Sequence, residues 1–147
     1  MADDDHTPRI LVDDRQESAL DVDGLVVLAR EVLIGEGLPS AELSLSFVTD
    51  EEMSDLHERF TGEPGPTDVL SFPLDDDDRD EGGVRILGDV VIAPAVAAAN
   101  NPTDPSGELR LLVVHGILHL LGHDHHEDGD RAEMWSRQER YSGMGVP

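Results

Sequence analysis

The run from Leu109 to Leu121 is apolar almost all round, broken mainly by Arg110, His115 and His119. A helix with no polar side belongs in an interior, because any face it turned to water would expose apolar surface. Residues four apart share a helix face, so His115 and His119 project in one direction, about one turn apart. Gly122 stands where the pattern ends, and glycine readily takes the left-handed conformation that closes a helix. The chain can then turn back and bring His125 to the same point in space. Five of the seven histidines lie between His115 and His126, so this is where the chain concentrates its metal-binding chemistry.

The spacing is His, His at +4, Gly at +7 and His at +10. It resembles the metzincin frame H-E-x-x-H-x-x-G-x-x-H except at +1, where the general-base Glu of those proteases is replaced by Gly116. The metal cage is present and the protease's base is missing. Three imidazoles with an open fourth position form a catalytic zinc pattern, whereas structural zinc sites fill all four positions, usually with Cys. The chain has no Cys. A histidine-rich surface segment would be the bland alternative, but three histidines framing a glycine favour His115, His119 and His125 as ligands of one Zn. Imidazole also suits Ni, Fe and Cu.

At 147 residues the chain is long enough for one domain that buries roughly two-thirds of its unfolded surface. Residues 1–8 read as a disordered acidic leader, with 9–147 as a single metal-dependent hydrolase domain. No apolar run reaches the length of a membrane span, the N-terminus lacks a secretory core, and the absence of Cys makes a cytoplasmic location the default. There are 33 acidic residues against 10 basic ones, giving a net charge of −23, and every basic residue is Arg. Such a field discourages contact with polyanions. It is screened beyond about 8 Å at physiological salt, so a local Arg and metal patch can still act.

Arg9 to Val12 reads as a strand, and Val22, Leu25, Val26, Ala29, Val32 and Leu33 follow helical spacing over 21–34, closed by Gly35 and Gly37. Leu43, Leu45 and Phe47 alternate with Ser44 and Ser46 in a half-buried strand over 43–48. Thr49 to Glu52 is a capping box opening a helix with Met53, Leu56 and Phe60 on its inner face. Strands follow at 69–72 and 84–93, separated by an acidic loop from Asp75 to Gly83 that reads as solvated. Ala95 to Ala99 is a short helix, Ser106 offers an N-cap for the histidine helix, and Glu127 to Tyr141 reads as a closing helix. The expected fold is α+β, with a small mixed four-stranded sheet packed against helices and the metal site on a central helix and its following loop.

The segment HGILHLLGHDH resembles the signature H-G-x-L-H-L-x-G-[YH]-D-H of the YbeY family. Gly65 to Pro73 resembles that family's P-T-D-V-L-S-F-P, and Leu87 to Ile92 its L-G-D-[IV]-x-[IL]. The resemblance implies a metal-dependent, single-strand-specific endoribonuclease of ribosomal RNA processing, acting on rRNA precursors with the ribosome or its assembly factors as partners. No membrane and no DNA are expected. A three-His zinc brings the pKa of water to about 7, and so needs no Glu at the +1 position for a nucleophile.

His123 and Asp124 are candidates for proton transfer near the metal, and Asp124 could equally orient a ligating imidazole. His126 reads as solvent-exposed and His57 as a surface or packing residue. The family's Arg, six positions before the Thr of P-T-D-V-L-S-F, is Thr61 here; Arg59 is the nearest substitute, although two helix residues turn a side chain to roughly the opposite face. Thr67, Asp68 and Ser71 could line the substrate cleft, and Asp68 and Ser71 could equally hold their own backbone at a turn and a strand end. Asp89 is either a buried structural carboxylate or a site residue. Two rivals remain: a metzincin-like metallopeptidase, and a non-catalytic metal-stabilised ribosome-assembly module.

Overall fold

The computed structural model describes residues 7–74, 84–122 and 141. Its elements are β1 (Arg9–Asp14), α1 (Val22–Gly35), β2 (Glu42–Phe47), α2 (Asp50–Thr61), β3 (Val69–Pro73), β4 (Ile86–Ile92), α3 (Pro94–Asn100) and α4 (Pro105–Leu120). The period-two pattern of β2 buries Leu43, Leu45 and Phe47 and leaves the residues between them half-covered. β2 is an interior strand of the sheet, with β1 parallel to it on one side and β4 parallel on the other. The fourth strand, β3, closes the order β1-β2-β4-β3 and runs antiparallel to β4. The mixed four-stranded sheet and the α+β class expected from the sequence are what the structure shows.

One face of the sheet carries the main core. Leu28, Val32 and Leu33 of α1 and Val113, Ile117 and Leu118 of α4 pack on Leu43, Leu45, Phe47, Val90 and Ile92. Successive strand residues face opposite sides, so Leu70, Phe72 and Val91 turn to the other face and meet Met53 and Leu56 of α2. Phe60, expected on that inner face, is 60% exposed. It sits in the last turn of α2, where the ring of Phe72 meets it edge-on at 4.9 Å between centroids.

Helix ends follow the cap chemistry, with one correction. Thr49 accepts from the Glu52 amide as a capping box requires, and α1 ends in a Schellman turn, Leu38 N–H to Leu33 C=O and Gly37 N–H to Ile34 C=O, with Gly37 at φ +84°. The N-cap of α4 is Asp104, accepting from the Gly107 amide, and not Ser106. Pro105 takes the first helical position, where its fixed φ and missing N–H cost nothing, and that sets the cap one residue ahead of it.

Pro8, at the end of the stretch read as leader, is buried, and its carbonyl accepts from Arg30 Nε at 3.2 Å. Residues 1–6, the acidic loop 75–83 and most of the closing segment lie outside the described residues. Tyr141 packs on the main core and donates to Glu36 Oε2 at 2.7 Å. Among the described residues no helix is long and apolar enough to cross a membrane.

Candidate metal centre and active site

The all-apolar pattern of α4 has the consequence read from it: nine of its residues are buried, from Gly107 to Leu120. Leu111, His115 and His119, spaced by four, form its half-buried stripe. The two imidazoles on that stripe stand with ring centroids 4.5 Å apart and planes inclined at 59°. The helix stops directly after them. Gly122 takes φ +95° and its N–H returns to the His119 carbonyl at 3.0 Å, turning the chain at the residue predicted to turn it. His125, Asp124, His123 and His126 lie outside the described residues. Among the described residues no three His, Asp or Glu side chains gather to hold an ion.

The position between the histidines is fixed by the sheet. A Cβ built on Gly116 would stand 2.5 Å from Val90 Cγ1 and 3.3 Å from Val69 Cγ2, so α4 presses its backbone on β3 and β4 there. Ser71 Oγ donates to the Gly116 carbonyl at 2.9 Å, tying β3 to the turn that carries both imidazoles. Replacing Ser71 by Ala removes that bond and is expected to cost about 1 kcal/mol of stability and to weaken metal binding about tenfold, in the range for ligand-orienting groups. Calorimetric metal titration of Ser71→Ala beside Ser71→Thr checks this; unchanged metal affinity in Ser71→Ala would show that the tie does not position the imidazoles.

The other expected site residues have definite places. Asp68 is half-buried at the entry to β3, its carboxylate taking Asn100 Nδ2 at 3.3 Å and Thr67 Oγ1 at 3.5 Å, while its carbonyl accepts from the Ala93 amide. Asp68 thus joins the β3 entry to both ends of α3, through its carbonyl to the N-cap Ala93 and through its carboxylate to Asn100. Arg59 points outward and pairs with Asp55 at 2.8 Å, both side chains largely exposed. Thr61, at the position of the family's Arg, donates back to the His57 carbonyl at 2.6 Å and finishes the last turn of α2. His57 is a packing residue, as read: its Nδ1 lies 2.9 Å from the Gly65 carbonyl, which can only accept, so Nδ1 carries the proton. Asp89 is exposed on β4, which excludes the buried structural carboxylate.

Sequence reasoning missed the Ser71–Gly116 tie. Its one signal was a glycine in the interior of a helix, a poor helix former that has to be explained by close packing.

A sequence model of Endoribonuclease YbeY matches residues 12–143. The chain belongs to that family. The matched span contains α4, the strand pair β3–β4 and the segment after Gly122. Among curated relatives, Endoribonuclease YbeY of Cutibacterium acnes is 48% identical over 122 residues, covering 77% of this chain and 78% of that protein. The Acidothermus cellulolyticus YbeY is 47% identical over 136 residues, covering 83% of each. The solution structure of TM1509 from Thermotoga maritima superposes with a TM-score of 0.64 at 28% identity, over 90% of this chain and 86% of that one. The fold of this YbeY family member is therefore shared with a solved structure across nearly its whole length.

Proposed function

We propose that this YbeY family member cleaves single-stranded regions of ribosomal RNA precursors in the cytoplasm, using one metal ion, most simply Zn, held by His115, His119 and His125. Its membership in the family makes it a hydrolytic endoribonuclease. The observation that carries the metal assignment is the pair of imidazoles 4.5 Å apart on the half-buried stripe of α4, with a glycine turn directly after them. Neutral imidazoles are the donors that divalent zinc takes at catalytic sites. Such an ion, when bound, supplies a Lewis acid for a phosphoryl oxygen and a nucleophile from water near neutral pH.

In this reading the chain's own residues do the rest. Asp124 orients an imidazole or moves the proton, Thr67, Asp68 and Ser71 border the RNA, and Arg59 exchanges its exposed pairing with Asp55 for a phosphate. Surface pairs of that kind are worth at most about 1 kcal/mol, so the exchange is cheap. The ribosome or its assembly factors deliver the substrate.

The test is cleavage of a short single-stranded RNA, a duplex RNA and casein, each with chelator and after metal is restored. Chelator-sensitive, Zn-restored cleavage of the single strand alone is the expected result. Casein cleavage would favour the peptidase, and metal binding with no cleavage at all would favour an assembly module. Salt adds a second signature. Few of the ten Arg can converge on one cleft, while added salt screens the repulsion from a net charge of −23. Activity should stay flat or rise over the low-salt range, where a basic nuclease would lose affinity steeply.

A further inference from the structure

The sheet ends in two edge strands, β1 and β3, and among the described residues exposed apolar side chains gather at β1. Among the described residues the exposed large hydrophobics are Leu11, Val12, Val27, Ile34, Phe60 and Leu74. The first four belong to β1 and α1. Val27, Arg30 and Ile34 share one stripe of α1 by helical spacing, and Arg30 reaches the Pro8 carbonyl just ahead of β1. The stripe therefore overhangs the strand, on the side where Ile10 packs into the main core. Apolar patches of this kind on a soluble protein mark interaction surfaces.

The backbone at this edge is ordered for pairing. The amides of Arg9 and Arg15 go inward to the carbonyls of Ala41 and Phe47. In a parallel ladder, alternate residues then direct N–H and C=O outward, here Ile10, Val12 and Asp14. An incoming antiparallel strand must bond to those even-numbered residues, which allows only registers of one parity. We propose that the occupant is β1 of a second copy, related by a two-fold axis through Leu11, so that two sheets join into one of eight strands.

In that register Ile10 meets Val12 of the other copy on the α1 side, and Leu11 meets its own counterpart. Arg9 then lies opposite Asp13 on the far face. The side chains of Arg9 and Asp13 are 57% and 59% exposed; Asp13 pairs with Arg15, itself 48% exposed, a surface pair that exchanges at little cost, while Arg9 pairs with Glu42, which is 14% exposed. Of the two neighbouring registers of the same parity, one sets Ile10 against Asp14 and Leu11 against Asp13, and the other sets Arg9 against Leu11, so each places a charge on an apolar neighbour. The sequence Arg-Ile-Leu-Val-Asp is thus complementary to itself in one alignment, as a two-fold interface demands. The strand order sets β2 between β1 and β4, against which α4 packs, so pairing leaves the histidine stripe clear. Two chains of net charge −23 repel one another at long range, so the pair strengthens as salt screens them.

The experiment is sedimentation of the full chain over rising chloride, with Arg9→Asp and Asp13→Arg prepared separately. Wild type should shift from monomer towards dimer as salt increases. Each variant sets like charges opposite one another twice per interface and should raise the dimer's Kd about tenfold. On mixing, the strand of one variant carries acid at both positions and that of the other carries base at both. Every facing pair is then unlike again, and the mixture should associate as wild type does. Rescue on mixing cannot come from a folding defect. A wild type that stays monomeric at all salts and concentrations overturns the proposal, as does a mixture that associates no better than its components.

Discussion

His115→Ala and His119→Ala are expected to lose both bound metal and RNA cleavage, while His57→Ala keeps both. The two rings share the half-buried stripe of α4 with their centroids 4.5 Å apart, close enough to serve one ion. Structural zinc sites gain roughly 10–16 kcal/mol from four protein ligands, so deleting one ligand removes about 3–4 kcal/mol, or several hundredfold in affinity. His125→Ala should behave like the first two, and His126→Ala and His6→Ala should not. His57 is committed elsewhere, to the Gly65 carbonyl. Its removal should lower stability by about 1 kcal/mol without touching metal content, a cost seen as a shift in Tm. Elemental analysis of tag-free protein beside cleavage rates reads out the whole set. Stoichiometric metal in His119→Ala would sink the ligand assignment.

Much of this was legible because it is periodic. The alternation of Leu43, Leu45 and Phe47 specifies a strand with one buried face, and the nearly continuous apolar run from Leu109 to Leu121 specifies a central helix, whatever surrounds them. The four-residue step from His115 to His119 needs only helix geometry. What escaped the sequence depends on partners distant along the chain or on local rivals of equal chemistry. Ser106 can cap a helix, and so can Asp104; the choice falls to Asp104 because Pro105 fits the first helical turn. Phe60 has the correct spacing for burial, yet α2 reaches past what can cover it, leaving the edge of Phe72 beside it. Ser71 looks like any strand-end hydroxyl until α4 is laid across β3 and its oxygen meets the Gly116 carbonyl. Asp89 sits among apolar neighbours in sequence and is exposed. By alternation it shares the α2 side of β4 with Val91, and the cluster that covers Val91 does not extend to it.

Gly116→Ala should destabilise the protein even though alanine is the better helix former. The gain in helix propensity is about 1 kcal/mol. Against it, the new Cβ would lie 2.5 Å from Val90 Cγ1, and a β-branched side chain in a packed core has no rotamer to escape to. Forcing an extra methyl into such a core costs about 1–3 kcal/mol, so the net change is a loss of up to about 2 kcal/mol. The cause can be isolated, because Val90→Ala removes the obstructing methyl: in that background Gly116→Ala should turn neutral or stabilising, a coupling measured by a double-mutant cycle. Gly116→Glu is the sharper case. It restores the protease frame in sequence, but the side chain starts out towards Val90 and Val69 on the sheet, where a carboxylate has no water and no partner. Burying it costs several kcal/mol, so the variant should unfold at far lower temperature and gain no peptidase activity. A higher Tm for Gly116→Ala in the wild-type background would show that α4 does not sit on β4 as described. Casein cleavage by Gly116→Glu would place position 116 beside the metal and return the metallopeptidase to contention.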